Sequence, residues 1–115
     1  MEPTGANRRS QPRVEAAIPI EVKGVDALGI GYDDATTALE VSRRGLSYLS
    51  KRDLAVFAAL TIVIPGRGPV RPGVGASDFF TEATVVRTVK VDEEFYRVSV
   101  RFIGSTLPMY SAEGL

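Results

Sequence analysis

Arginine, hydroxyl and glycine gather at two places in this chain, Arg8-Arg9-Ser10-Gln11-Pro12-Arg13 near its beginning and Glu40-Val41-Ser42-Arg43-Arg44-Gly45 further on. Guanidinium groups are planar forks that bind phosphate oxygens and the O6/N7 edge of guanine bidentately, and they stack on flat rings. The chain has no histidine and no cysteine, so a ligand must be recognised by groups of this kind. The two stretches read as halves of one anion site.

The rest of the composition narrows the chemistry. The 14 Lys and Arg balance the 14 Asp and Glu, so no overall field draws the protein to DNA, RNA or an acidic membrane, and local clustering must do the work. Without cysteine or histidine, neither a disulfide framework nor a structural zinc site is expected, and no cofactor is implied. Met1 to Ser10 has no apolar signal core, and the longest apolar run, Leu54 to Ile64, is shorter than the roughly 20 residues a membrane helix needs. A soluble, cytoplasmic protein without membrane insertion is the expectation. At 115 residues the chain is one domain, able to bury roughly two thirds of its unfolded surface.

The elements that must position the two motifs are strands. Residues 1–14 are polar, hold Gly5 and two prolines, and lack hydrophobic periodicity, so a flexible arm is expected there. Ile18, Ile20 and Val22 alternate as in a half-buried strand, with Pro19 marking an edge or a bulge. Gly24 to Asp34 reads as a loop, Thr36 to Val41 as a second strand, and Leu46 to Leu49 as a third. Ser42 to Gly45 then lies in a tight turn at the end of the sheet, its glycine suited to φ > 0. Ser50 to Ala58 allows one helical turn at most, Leu60 to Ile64 is a β-branched strand, and Gly66 to Ser77 is a Gly/Pro-rich loop.

Two long strands, Thr81 to Val91 and Phe95 to Ile103, flank Asp92-Glu93-Glu94 as a hairpin loop. Strict alternation places Ala83, Val85, Arg87, Val89 and Val91 on one face, and sets Arg97, Ser99 and Arg101 opposite the buried Val98, Val100 and Phe102. Six strands without a βαβ rhythm predict an all-β fold, an antiparallel barrel or closed sandwich. The adjacent Asp33 and Asp34 resemble a catalytic pair, but neighbouring residues of an extended chain point apart. With no histidine base, an enzyme is not expected.

Arg9 and Arg13, the apolar strand from Ile18, Glu40-x-Ser42-x-x-Gly45, the strand ending at Pro65 and the terminal Tyr96 to Ile103 stand in an order that resembles a PilZ domain over nearly the whole chain. The resemblance implies a six-stranded β-barrel that receives cyclic di-GMP on its surface, closed over by the N-terminal arm. It further implies that Arg9 and Arg13 grip phosphates and guanine rings, and that Glu40, Ser42 and Gly45 contact a guanine from the turn. In that family an arginine at the position of Arg8 accompanies a stacked ligand dimer, so two ligands per domain are implied. The expected organisation is an arm over residues 1–14, a barrel over 15–104 and a polar tail over 105–115.

Two residues depart from the family's pattern. Glu40 stands where the family has Asp or Asn, and the added methylene displaces a contact whose geometry is demanding. Ser99 stands where glycine is common. The first departure supports an alternative, a PilZ-like domain that no longer binds nucleotide and acts as a protein-interaction adaptor; its protein partner is not legible in the sequence. The plain readings are solubilising charge for Arg8, Arg9 and Arg13, a hairpin turn for Ser42 and Gly45, a solvated carboxylate for Glu40, and exposed turn charges for Arg43 and Arg44.

Overall fold

A computed structural model of the chain describes residues 14–104 together with Thr106 and Leu107. Its strands are β1 (Val14–Val25), β2 (Gly31–Ser42), β3 (Gly45–Ser50), β4 (Ala59–Ile64), β5 (Val70–Arg71), β6 (Gly75–Ala76), β7 (Phe79–Lys90) and β8 (Tyr96–Ile103). Six of them close into an antiparallel barrel in the order β1-β2-β3-β8-β7-β4, with β4 returning to β1, while β5 and β6 form a separate ribbon. The expected all-β, six-stranded barrel is present.

The interior follows from the apolar alternation. Ile20, Val22, Val41, Leu46, Ile62, Ile64, Val85, Val98 and Val100 are buried, and each such side chain contributes roughly 1.5–3 kcal/mol on leaving water. Large and small residues face one another across the ladders: Tyr48 lies between Ala38 and Val98, and Phe102 opposite Ala83. Both alanines are fully buried, which is how a narrow barrel accepts an aromatic ring. Pro19 sits in β1 between a bulge at Glu15/Ile18 and the short ladder to β4, which pairs only Glu21–Lys23. Proline is tolerated beside such a bulge.

Three expectations need correction. Gly24 to Asp34 is mostly strand, because pairing outweighs its glycine and aspartate content: Lys23 lies opposite Asp33, with Nζ–Oδ2 at 3.9 Å, and Gly24 opposite Tyr32. A Cβ on Gly24 would crowd the Tyr32 hydroxyl. The true connection is residues 26–30, where the Asp26 carboxylate accepts from the N–H groups of Leu28 and Ile30, both at 2.9 Å. Ser50 to Ala58, allowed one helical turn at most, stays within that limit and forms none, since Phe57 takes φ 76° and its N–H donates to the Val85 carbonyl at 2.7 Å, a conformation outside the right-handed helix. Leu54 nevertheless reaches the core.

The second correction concerns β7, whose strict alternation fails at a bulge between Val85 and Arg87. Ala83 and Val85 face inward as expected, but Arg87 and Val89 turn out, with Arg87 opposite Ser99. A guanidinium is thereby spared burial. The third concerns Gly45, whose backbone does not take positive φ. Beyond the barrel, Leu107 is buried and its N–H donates to the Arg43 carbonyl at 2.8 Å, so the start of the segment read as a polar tail packs on the core.

One consequence of the interior is measurable at high pH. Burial, reinforced for Tyr48 by the neighbouring Tyr32 and Asp34, pushes the Tyr48 phenol well above its ordinary value of 10.0. Burial raises Tyr32 as well, partly offset by the Arg52 guanidinium. A group whose folded pKa is raised contributes stability that is complete below its unfolded pKa and is lost as pH climbs through the folded one. Stability should therefore hold up to about pH 10 and fall above it. The share of ultraviolet tyrosinate absorbance that belongs to Tyr32 and Tyr48 should appear together with loss of the folded circular dichroism signal; titration of both in a still-folded barrel would contradict the packing.

Candidate functional site

Extended backbone sends alternate residues to opposite faces, so Ala38 facing the core would by itself put Glu40 and Ser42 inside as well. A bulge in β2 between Ala38 and Glu40 prevents this: Ala38 pairs with Tyr48, Glu40 with Ser47, and Val41, which follows, is the next buried residue. Glu40 and Ser42 are both turned outward by that one extra residue. The candidate site is accordingly the outer face of β2, β3 and β8.

Across that face Glu40, Ser47 and Ser99 form one row and Ser42, Gly45 and Arg101 the next. The hydroxymethyl side chains of Ser47 and Ser99 make a low floor. Arg97, opposite Leu49 on β8, reaches diagonally over it. Its Nη2 lies 3.3 Å from Glu40 Oε1 and donates to Ser47 Oγ at 3.2 Å. Ser47 is buried although it faces outward, consistent with that cover. Arg97, Ser47 and Arg101 did not figure among the residues assigned from sequence. Alternation placed Arg97 and Arg101 on the outward face, but the β3–β8 register that brings Arg97 to Glu40 leaves no mark in the sequence.

Ser42 and Gly45 carry the turn. The Ser42 hydroxyl donates to the Gly45 carbonyl and accepts from the Arg44 N–H, each at 3.3 Å, the self-bonding such residues make at turns. Gly45 is not among the glycines with positive φ, contrary to the expectation drawn from the turn. Glycine is required there by close approach: a Cβ would collide with the Val100 carbonyl oxygen and stand 3.3 Å from Arg101 Cα. Arg43 and Arg44 are exposed, and the Arg44 carbonyl accepts from the Phe102 N–H at 2.7 Å, tying the corner to β8. Arg8, Arg9 and Arg13 lie outside the described residues.

Elsewhere the acidic pair comes apart as extended geometry requires. Asp33 faces Lys23, whereas Asp34 receives a fork from Arg52, with Nε at 2.6 Å and Nη2 at 3.1 Å. The same guanidinium stacks 4.0 Å from the centroid of Tyr32, so this arginine fastens the loop after β3 to β2. Among the described residues no group of His, Cys, Asp and Glu is arranged to hold a metal ion, and no helix is long and apolar enough to cross a membrane.

No family model and no curated protein matches the chain. Solved structures of similar fold are known. The inhibitor of motility MotI/DgrA of Bacillus subtilis superposes with a TM-score of 0.58 at 18% identity, over 85% of this chain and 43% of that one. The PilZ domain of YcgR from Escherichia coli with c-di-GMP gives 0.56 at 17% identity, over 84% and 79%. The K. pneumonia MrkH–c-di-GMP complex gives 0.52 at 16%, over 84% and 44%. The chain thus has a PilZ-like β-barrel fold. It spans less than half of two of these neighbours.

Proposed function

We propose that this chain is a cyclic di-GMP-binding signalling module, in which ligand seated on the β2–β3–β8 face draws in the Arg8, Arg9 and Arg13 segment and so alters the surface offered to a protein partner. The observation that carries this reading is the β2 bulge, which turns Glu40 and Ser42 outward together at the corner closed by Gly45. Two structures of the same fold that hold c-di-GMP by their own description support it. In this reading Arg9 and Arg13 bond phosphates and stack on guanine, Glu40 accepts from the guanine N1–H and N2–H donors, Ser42 and Gly45 contact the base edge, and Arg8 admits a second ligand. The module is cytoplasmic and non-catalytic, and it binds neither DNA nor RNA.

Isothermal titration of cyclic di-GMP, with GTP as control, tests this. Binding at micromolar or tighter affinity should fall at least about tenfold in the Arg9→Ala plus Arg13→Ala variant, since each charge-assisted bond contributes 1.5–3 kcal/mol. A stoichiometry of two would support the role given to Arg8. Equal binding by the variant would exclude the arm, and absence of heat with the wild-type protein would exclude the receptor.

A second reading has its own support. Glu40 is already bonded by Arg97, and the Ser42 hydroxyl is engaged within its own turn, a constellation that also suits a nucleotide-independent adaptor. A partner retained equally with and without cyclic di-GMP would favour it; strict dependence on the nucleotide would exclude it.

A further inference from the structure

Resting on the proposed cyclic di-GMP site, we infer that Arg97 and Glu40 act together as the reader of the guanine base, with Arg97 as a specificity-determining residue. The argument begins with the span between them. Glu40 is on β2 and Arg97 on β8, with β3 between, and Arg97 is set one outward position along from the row that Glu40 shares with Ser47 and Ser99. Two strand spacings are roughly 10 Å. The side chains meet over Ser47, with Arg97 Nη2 at 3.3 Å from Glu40 Oε1 and 3.2 Å from Ser47 Oγ. An aspartate would stop one methylene short. The longer carboxylate that departs from the family's pattern is therefore matched by an arginine at the distance a glutamate can reach.

The polarity of the pair has a complement. A carboxylate is acceptor-only and a guanidinium donor-only. Side by side they present acceptors next to a donor, in the sense required by the guanine edge on which the N2 and N1 donors adjoin the O6 acceptor. Adenine carries an amino group where guanine has O6 and an acceptor at N1, so it meets like with like at both positions. Such mismatches leave desolvated polar groups unpaired, which is where discrimination between similar ligands is greatest. Ser47 beneath the pair holds the guanidinium in place without itself reaching the base.

The experiment is equilibrium titration of cyclic di-GMP and cyclic di-AMP into the wild-type chain, Arg97→Ala and Arg97→Lys, with thermal unfolding of each. Arg97→Ala should weaken cyclic di-GMP by about 10- to 100-fold, the usual range for a bond to a charged group, while cyclic di-AMP changes little and the preference for guanine collapses. Arg97→Lys, which keeps the charge but not the fork, should fall between. Unchanged cyclic di-GMP affinity in Arg97→Ala would overturn the inference and leave the receptor standing. Equal loss of both dinucleotides would do the same, reducing Arg97 to a charge in the wall. A wild-type protein that binds neither dinucleotide would remove the receptor itself, and this assignment with it.

Discussion

Gly45→Val is expected to lower the free energy of unfolding by about 3 kcal/mol, the upper end of the usual cost of overpacking. A typical overpacked core position relaxes by rotating a neighbouring side chain. Here the obstacle is the Val100 carbonyl, with the Arg101 backbone close behind, so relief requires β3 and β8 to separate where Gly45 pairs with Arg101. That separation also pulls on the Arg44 carbonyl, which receives the Phe102 N–H. Denaturant unfolding should report the loss, and hydrogen exchange should report reduced protection at Phe102 before the rest of the barrel. Gly45→Ala should follow in the same direction with a smaller loss. If Gly45→Val unfolds at the wild-type midpoint, the close approach is wrong. The same substitution would damage any ligand face on this corner, so loss of binding in it is no evidence that Gly45 touches a ligand.

The second large effect separates a ring from its hydroxyl. Tyr48 is 2% exposed, packed between Ala38 and Val98, and its hydroxyl has no hydrogen-bond partner among the described residues. Tyr48→Ala removes an aromatic ring from the barrel centre and should cost about 3–5 kcal/mol, a drop in thermal midpoint on the order of 15 °C or more for a domain of this size. Tyr48→Phe keeps the packing and discards the buried hydroxyl, so a gain of about 1 kcal/mol is expected. A Tyr48→Phe variant less stable than wild type would mean that the hydroxyl has a bonding partner after all. The pair also bears on the alkaline limb, because Tyr48→Phe should move the onset of unfolding to higher pH.

The strands around Ile20 and Val98 were legible because each alternates apolar and polar residues, a period that a half-buried strand leaves in the sequence, and the strand around Ile62 because it is a β-branched run. The face of Arg87 was not, because a bulge changes the phase of the alternation without changing its composition. Gly24 to Asp34 misled for a related reason. Its residues are held by the backbone ladder to β1, and Asp34 by Arg52, eighteen positions further along, contacts that a local window does not contain. At the site, Glu40, Ser42 and Gly45 could be singled out by type and spacing. Arg97 could be placed on the outer face and no further, since its partnership with Glu40 depends on the register of a third strand. Gly45 was selected for a turn and is needed for a steric gap, two demands that glycine meets alike.

The bulge at Ala38/Glu40 makes the outer face of β2 a matter of reading frame. Straightening the strand with Leu39 kept would carry Glu40 and Ser42 into the barrel and push Val41 out to solvent, although every residue of the motif remained in the chain and in order, whereas deleting Leu39 would let Glu40 follow Ala38 directly and leave all three facing as they do. Conversely, Glu40 to Gly45 copied into another barrel would face outward only where the host strand delivers them in this phase, with an inward residue paired immediately before Glu40. In this protein the unit of inheritance for such a surface is a count of residues, and insertions and deletions in β2 can write or erase it as decisively as any substitution.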